Sequence, residues 1–430
     1  MRIAFIGHQA SKEGAGRFLF EEIVYLLAQG VRPFAIFPED GPLSVDLRRL
    51  GVETAFVPYT WWNKPHGLRG PAEYEEALVA AHAMAKILTE WRVDIAYTHT
   101  IVAGTGPLAA ALAGLPHVWH LHEFSYKGNA IEMALPQRSL GRFIDLTTNL
   151  VFFNSRGVAA EWAGVLSAAQ TQVVYNWIPA ADRSGIQQTT TDPVARSMLD
   201  GATFVAASVG SVIPFKRHID AVRAVGRLIR EGLDIGLLVI GPPLHPGAHA
   251  ELVAVISENG WSDRIRLLGY SDNPRQLMRE ADVTLVCSDS ESFGRVTVES
   301  MGEGTPVIGA DFGGTAEIVR EDVNGLLYQP GDVDALSKRL RELAGDAELR
   351  GRLAEGARRT ADAFRGPERS MTPAVAALRA LVGGSNPSSP LGTLIGTGYS
   401  VGLAASANIP RPSLRRKAIA KIRRTIRGIW

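Results

Sequence analysis

DVTLVCSDSESFGRVTVESMGEGTPVIGADFGG, residues 282–314, holds the pattern on which the fold turns. An apolar run of strand length (283–287) gives way to a polar loop carrying Glu291. A helical stretch then opens near Gly294 and places Glu299 a little more than one turn in, before a second apolar run, PVIGA at 306–310. Strand, helix and strand of these lengths make a parallel βαβ unit, which binds ligands outside the carboxyl ends of its strands. Free amides at a helix start, together with the helix dipole, hold phosphate at such a place. Two carboxylates bracket the turn. They repel phosphate, but each accepts hydrogen bonds from a vicinal diol through both oxygens. Taken alone, Glu299 reads as a solvated helix residue.

The same alternation runs through the chain twice. RIAFIG (2–7), PFAIF (33–37), VDIAYTH (93–99), HVWHL (117–121) and LVFFNS (150–155) read as buried parallel strands, several separated by helical spacing. TFVAASVG (203–210), IGLLVIG (235–241), RIRLLG (264–269), DVTLVCS and PVIGA repeat the series. Such alternation builds doubly wound α/β sheets, and 430 residues exceed one ordinary core. The expectation is two Rossmann-like domains across a deep cleft, residues 1–177 and 201–365, joined by a linker at 178–200. QVVYNWIP (172–179) closes the first series, and residues 331–383 read as wholly helical. Of these, 366–383 form a helix returning to the first domain; a Gly/Ser/Pro-rich linker (384–410) and a basic tail (411–430) follow.

The hydrophobic and charged fractions, 46% and 21%, are those of an ordinary globular protein. A single cysteine, Cys287, excludes an intramolecular disulfide and reads as a buried, inert thiol. The apolar run IAFIG is too short for a secretory signal and no stretch reads as a membrane span, so the expected location is the cytoplasm. The net charge of +1 conceals eight Lys or Arg and no acid in residues 411–430. The body is therefore mildly acidic and unsuited to nucleic acid. Ile419, Ile422, Ile426 and Ile429 stand at helical spacing among Arg415, Arg416, Lys421, Arg423, Arg424 and Arg427, with Trp430 last. That pattern suits peripheral contact with an anionic membrane at the inner face; docking on the acidic body, or no docking, stays open.

Glu291 and Glu299 stand eight apart, with SFGRVTV between and SMGEGTPVIG after. This resembles the E-x7-E signature of retaining glycosyltransferase family 4, the group 1 glycosyl transferases of GT-B fold. GGTAEIVREDVNGLLYQPGD (313–332) matches the family's continuation, with Ala316 where proline is commoner. The resemblance implies transfer from a nucleoside-diphosphate sugar to a saccharide or lipid-linked acceptor with retained configuration, in polysaccharide or glycoconjugate synthesis. It implies no cofactor and no catalytic metal, with the acceptor on the side of the first domain and the donor on the second. Glu299 is then assigned to the ribose diol and Glu291 to the transferred sugar, with Ser292, Phe293, Gly294 and Arg295 in the donor turn. In SVGSVIPFKRHIDAV (208–222), Lys216 takes the place of a lysine that neutralises donor phosphates. Many members have arginine after the glycine matched by Gly210; this chain has Ser211, so Lys216 carries more charge, or Arg295 or Arg17 helps. Gly269 and Tyr270 match the segment flanking the base, although Tyr270 fits an ordinary strand exit equally.

GHQASKEGAGRFLFEEI (7–23) puts Gly14 and Gly16 at a helix start. The spacing is neither the dinucleotide fingerprint nor a P-loop. The resemblance makes it a glycine loop approaching the donor phosphates; a plain tight turn competes. In HVWHLHEF (117–124), His122 matches a histidine that contacts the donor sugar, with Glu123 beside it and His120 on the same side by alternation. His117, His120 and His122 lack an identifiable fourth ligand, so no metal is expected. The acidic run at 332–334 reads as a helix cap. His99, Trp61 and Trp62 are candidates either for an acceptor cleft or for core packing. Two other classes compete. A glycan phosphorylase would need pyridoxal phosphate on a lysine, for which no site is recognisable. A non-catalytic sugar-nucleotide-binding scaffold is opposed by intact Lys216, Glu291 and Glu299 but favoured slightly by Ser211.

Overall fold

The computed structural model describes residues 1–12, 14–64, 71–128, 131–179, 194–199 and 201–384, which divide into two compact units. The first carries β1 (Arg2–Ile6), β2 (Arg32–Phe37), β3 (Glu53–Phe56), β4 (Ile95–His99), β5 (His117–Leu121), β6 (Leu150–Phe153) and β7 (Gln170–Val173). They form one parallel sheet ordered β3-β2-β1-β4-β5-β6-β7. The second unit repeats this logic with β8 (Phe204–Val209), β9 (Ile235–Ile240), β10 (Ile265–Gly269), β11 (Val283–Val286), β12 (Val307–Ala310) and β13 (Gly325–Tyr328). Their order is β10-β9-β8-β11-β12-β13, again all parallel. Both sheets reverse strand order beside their first strand, as doubly wound nucleotide-binding sheets do.

Central strands are buried throughout because helices cover both faces. IGLLVI of β9 is buried along its whole length. The helix His218–Arg230 turns Ala221, Val222, Val225 and Leu228 onto this sheet, where they join Leu237, Val239, Leu285 and Trp261 in one apolar cluster. A fully buried side chain of this kind stabilises by about 1.5–3 kcal/mol.

The N-terminal part of the first unit runs to Val174, and Tyr175–Arg369 fall in the second, whereas the sequence reading places the boundary at 177. The Ile178 N–H donates to the Phe364 carbonyl at 2.9 Å and its carbonyl accepts from Gly366 at 3.0 Å, which fastens this stretch within the second unit. Part of the expected linker is likewise folded. A short helix, Val194–Ser197, carries Ala195 into an apolar cluster with Leu199, Val205, Ala207 and Leu238. Three helices follow β13: Val333–Gly345, Ala347–Asp362 and Glu368–Gly383. Asp332 caps the first of them, accepting the Ala335 N–H at 2.8 Å. Residues 370–384 group with the first unit. The basic stretch 411–430 and nearly all of 384–410 lie outside the described residues. Among the described residues no helix is long and apolar enough to cross a membrane.

Candidate functional site

β8 and β11 are neighbours leading to opposite halves of the second sheet, so their carboxyl ends bound a switch-point crevice. Beyond β8 the chain runs through Gly210 and Ser211, both half-buried, into the turn Pro214–Lys216. Beyond β11 it runs through residues 288–294 into the helix Arg295–Glu303. The two loops are tied at Phe215, whose carbonyl accepts from Ser288 Oγ and from the Asp289 N–H, both at 3.1 Å. That tie sets Lys216 Nζ 2.6 Å from Glu291 Oε2. Glu291 Oε1 accepts the Gly294 N–H at 3.3 Å, and Arg295 Nε donates to Glu299 Oε1 at 2.9 Å. Each carboxylate of the pair therefore carries a cation, in charge-assisted contacts stronger than neutral ones. Lys216 and Glu291 keep 22% and 13% of their side chains exposed, enough for an incoming anion to reach the ammonium.

Gly294 starts the helix at φ 88°, in the left-handed region, and a Cβ there would stand 3.2 Å from the Thr315 amide nitrogen. Only glycine meets both demands. Ser292 is half-buried in the same loop. Phe293 sends its ring into the core against Tyr175 and Phe364, leaving only its backbone to the turn. Gly269 ends β10, where its carbonyl accepts the Gly241 N–H at 2.8 Å, and Tyr270 beyond it is 70% exposed. His218, which the sequence did not single out, bridges Ser208 Oγ at 2.8 Å and the Gly210 carbonyl at 3.1 Å. Burial and Lys216 push its imidazole down to about 4, so it supports the loop as a neutral group.

In the first unit the corresponding strands are β1 and β4. Gly14 precedes the helix Ala15–Ala28 with nothing near its missing side chain. A Cβ on Gly16 would fall 2.1 Å from the Ser11 carbonyl oxygen, so this glycine is required by its own loop. Arg17 pairs with Glu21 at 3.2 Å, one turn on. His122, just past β5, stacks on His120 with ring centroids 4.1 Å apart, and its Nε2 lies 3.0 Å from His99 Nδ1. His99 Nε2 lies 3.0 Å from Glu22 Oε2. The Tyr97 hydroxyl donates to Glu22 Oε1 at 2.8 Å and stands 3.0 Å from His120 Nδ1. Burial pushes His99 down to about 3, holds His120 and His122 well below the usual range, and raises Glu22 to about 8. The cluster is therefore neutral near pH 7.

Glu123 Oε2 accepts the N–H groups of Ile101 and His122, both at 3.2 Å, and burial raises its carboxyl to about 7. His99 and Trp62 are core residues rather than cleft residues: both are buried, and Trp62 packs on Phe143 with centroids 5.0 Å apart. Trp61 donates its indole N–H to the His8 carbonyl at 2.9 Å. His117 sits apart between the hydroxyls of Thr98 and Thr148. The donor atoms of His99, His120 and His122 fall within 4.8 Å of one another. The rings of His120 and His122 stack 25° from parallel, and His122 Nε2 already faces His99 Nδ1 at 3.0 Å. Two carboxylates were missed. Glu22 shares the buried face of its helix with Phe18, Ile23 and Leu26, and an acid on such a stripe is the signal that marks it. Glu161 accepts the N–H groups of Ser125, Tyr126 and Lys127 and fixes the loop after His122; nothing in the sequence marks it.

Comparison with known proteins bears on both units. Residues 12–182 match Glycosyltransferase Family 4, and residues 195–360 match Glycosyl transferases group 1. A D-inositol 3-phosphate glycosyltransferase of Jonesia denitrificans is 30% identical over 291 residues, 63% of this chain and 68% of that one. The enzyme of the same name from Nocardia farcinica is 35% identical over 150 residues, where the match spans 34% of this chain and only 33% of the relative. An N-acetyl-alpha-D-glucosaminyl L-malate synthase of Bacillus anthracis is 28% identical over 187 residues, 44% of this chain and 48% of the other. Among solved structures, Anabaena HepE in complex with UDP and glucose superposes with a TM-score of 0.72 at 22% identity, covering 88% of this chain and 100% of HepE. That likeness establishes the GT-B fold. With both units matched and two thirds of the Jonesia relative covered, the chain belongs to the family 4, group 1 glycosyltransferases.

Proposed function

We propose that this chain transfers a glycosyl residue from a nucleoside-diphosphate sugar to a saccharide or lipid-linked acceptor with retention of configuration, in polysaccharide or glycoconjugate biosynthesis. The observation that carries this reading is the array of Lys216–Glu291 and Arg295–Glu299 at the carboxyl ends of β8 and β11. Lys216 exchanges Glu291 for the departing diphosphate, whose growing charge it stabilises with the amides of the following helix start. Glu291, released, accepts from sugar hydroxyls, and Glu299 holds the ribose diol. His122 and the backbone at Gly14 serve the sugar and the phosphates from the first unit. The leaving phosphate takes the acceptor's proton on the face it departs from, so no protein nucleophile is needed. The reading requires no metal, and full turnover in chelator is expected; loss of turnover there would place a cation in the reaction. An inverted product would remove retention. Residues 411–430 would deliver the enzyme to an anionic bilayer, and liposome binding that survives their deletion would refute this.

The test is binding of a panel of nucleoside diphosphates and their sugars, beginning with UDP, which HepE carries. One nucleotide should bind, and Glu299→Ala should weaken it about 10- to 100-fold, the worth of a charged hydrogen bond. If none binds, the non-catalytic scaffold reading takes its place.

A further inference from the structure

The buried chain Glu22–His99–His122 in the first unit has one loose end. His122 Nδ1 is buried and has no hydrogen-bond partner, whereas its Nε2 meets His99. His99 and Glu22 approach to 3.0 Å, out of line for a finished hydrogen bond, and His99 Nε2 and Glu22 Oε2 have no other partner. Two bare lone pairs would repel at that distance, so one of these atoms holds the proton between them. A neutral imidazole carries one N–H. The chain can therefore run in only two directions, and the proton at Glu22 chooses between them.

We propose that Glu22 is a positioning residue that sets the tautomer of His122, and hence whether His122 offers the donor sugar a hydrogen or a lone pair. With the carboxyl protonated, Glu22 Oε2–H donates to His99 Nε2, His99 Nδ1–H donates to His122 Nε2, and His122 Nδ1–H is left as a donor. With the carboxyl ionised every bond reverses: His99 Nε2–H donates to Glu22, His122 Nε2–H donates to His99, and Nδ1 becomes an acceptor. No net charge appears on either histidine in either direction.

The surroundings favour the protonated direction at neutral pH. Tyr97 donates to Glu22 Oε1, which leaves Oε2 as the oxygen that carries the proton. The titratable groups that meet the carboxyl are Tyr97 and His99 on β4, and those joined to them are His120 and His122 on β5 and its exit, with His8 after β1 beside His122. Burial raises Tyr97 and lowers all four histidines, so none offers a charge to hold Glu22 ionised. Burial lifts Glu22 itself to about 8. The direction should therefore reverse as the pH passes that value. Glu22→Gln keeps a carbonyl for Tyr97 and an NH2 to donate to His99, and so locks the first direction.

The interpretation rests on the proposed donor-sugar contact of His122, but its test does not require turnover. Nitrogen-15 NMR of histidine-labelled full-length protein, assigned with His122→Gln, reads which ring nitrogen of His122 bears the hydrogen. The expected result is Nδ1–H at pH 7, converting to Nε2–H above about pH 8 in wild type and at no pH in Glu22→Gln. Nε2–H in wild type at pH 7, or the same conversion in Glu22→Gln, would overturn the proposal, as would one equivalent of tightly bound metal in the purified protein. Should Glu22→Gln fail to fold, the wild-type titration alone still decides. If the tautomer behaves as expected but no nucleoside diphosphate binds, the functional reading fails and the relay stands. With a donor identified, Glu22→Ala should cost about tenfold in turnover, roughly one hydrogen bond, and Glu22→Gln should restore it while removing the alkaline limb of the pH profile. Equal loss in both variants would reduce Glu22 to a packing residue.

Discussion

Glu291 and Glu22 each face a nitrogen base close to a switch point, yet their settings are opposite. Glu291 meets Lys216 with both side chains partly open, and the pair is ionic. Glu22 meets His99 with both sealed, and burial drives each towards its neutral form. An ion pair still partly open to water can trade its anion for a phosphate, because both states remain charged and in reach of solvent. A buried neutral chain cannot admit a charge, so it transmits hydrogen-bond direction instead. Two sheets of matching strand order around their first strands thus carry an open ionic pair in one unit and a sealed neutral chain in the other.

Removing Lys216 should break the comparison most severely. Lys216→Ala should lower turnover with the identified donor by about 10²- to 10³-fold, the usual cost of losing one preorganised charge stabiliser. Near-normal turnover would mean that the Lys216–Glu291 pair only braces the loops.

Stability against pH sharpens the other side. The folded state raises Glu22 above its ordinary value, so its contribution is complete below about 4.5 and is lost as pH rises towards 8. The folded state lowers His99 from 6.5 to about 3, so its contribution is complete above 6.5 and is lost as pH falls towards 3. Each tenfold change in proton affinity on folding is worth about 1.4 kcal/mol, so either limb amounts to a few kcal/mol. Denaturant melts should show a maximum between the limbs, and Glu22→Gln should flatten the alkaline one. An alkaline limb unchanged in that variant would assign it elsewhere.

Smaller effects test the loops. Gly16→Ala must displace the Ser11 carbonyl and should cost about 1–3 kcal/mol, read as a lowered Tm. An unchanged Tm would show that the loop yields freely. Smallest of all, Cys287, buried with its thiol pushed up to about 12, should resist alkylation at neutral pH; rapid labelling of the folded protein would contradict its burial.

What the sequence disclosed follows the same division. Central strands were legible because burial on both faces demands unbroken apolar runs such as IGLLVI. The strands that escaped notice, β3 and β13, lie at sheet edges, and β7, read late, lies at another. ETAF and QTQV carry polar residues there because an edge has water on one side. Glu291 and Glu299 could be singled out because one loop and one helix hold them eight residues apart, whereas Lys216, 75 residues from Glu291 along the chain, was marked only by the resemblance of its own segment. Glu22 was not, since its partners His99 and His122 lie far along the chain and meet it only through the β4–β5 pairing. Phe293 shows the limit of reading a motif by position: its neighbours line the turn, but its ring is committed to the core.

Calorimetry of UDP against uridine decides whether the half-buried Lys216–Glu291 pair is the diphosphate site. UDP should bind wild type at least about tenfold more tightly than uridine, with Lys216→Ala erasing most of the difference. Equal UDP affinity in wild type and Lys216→Ala would contradict that assignment.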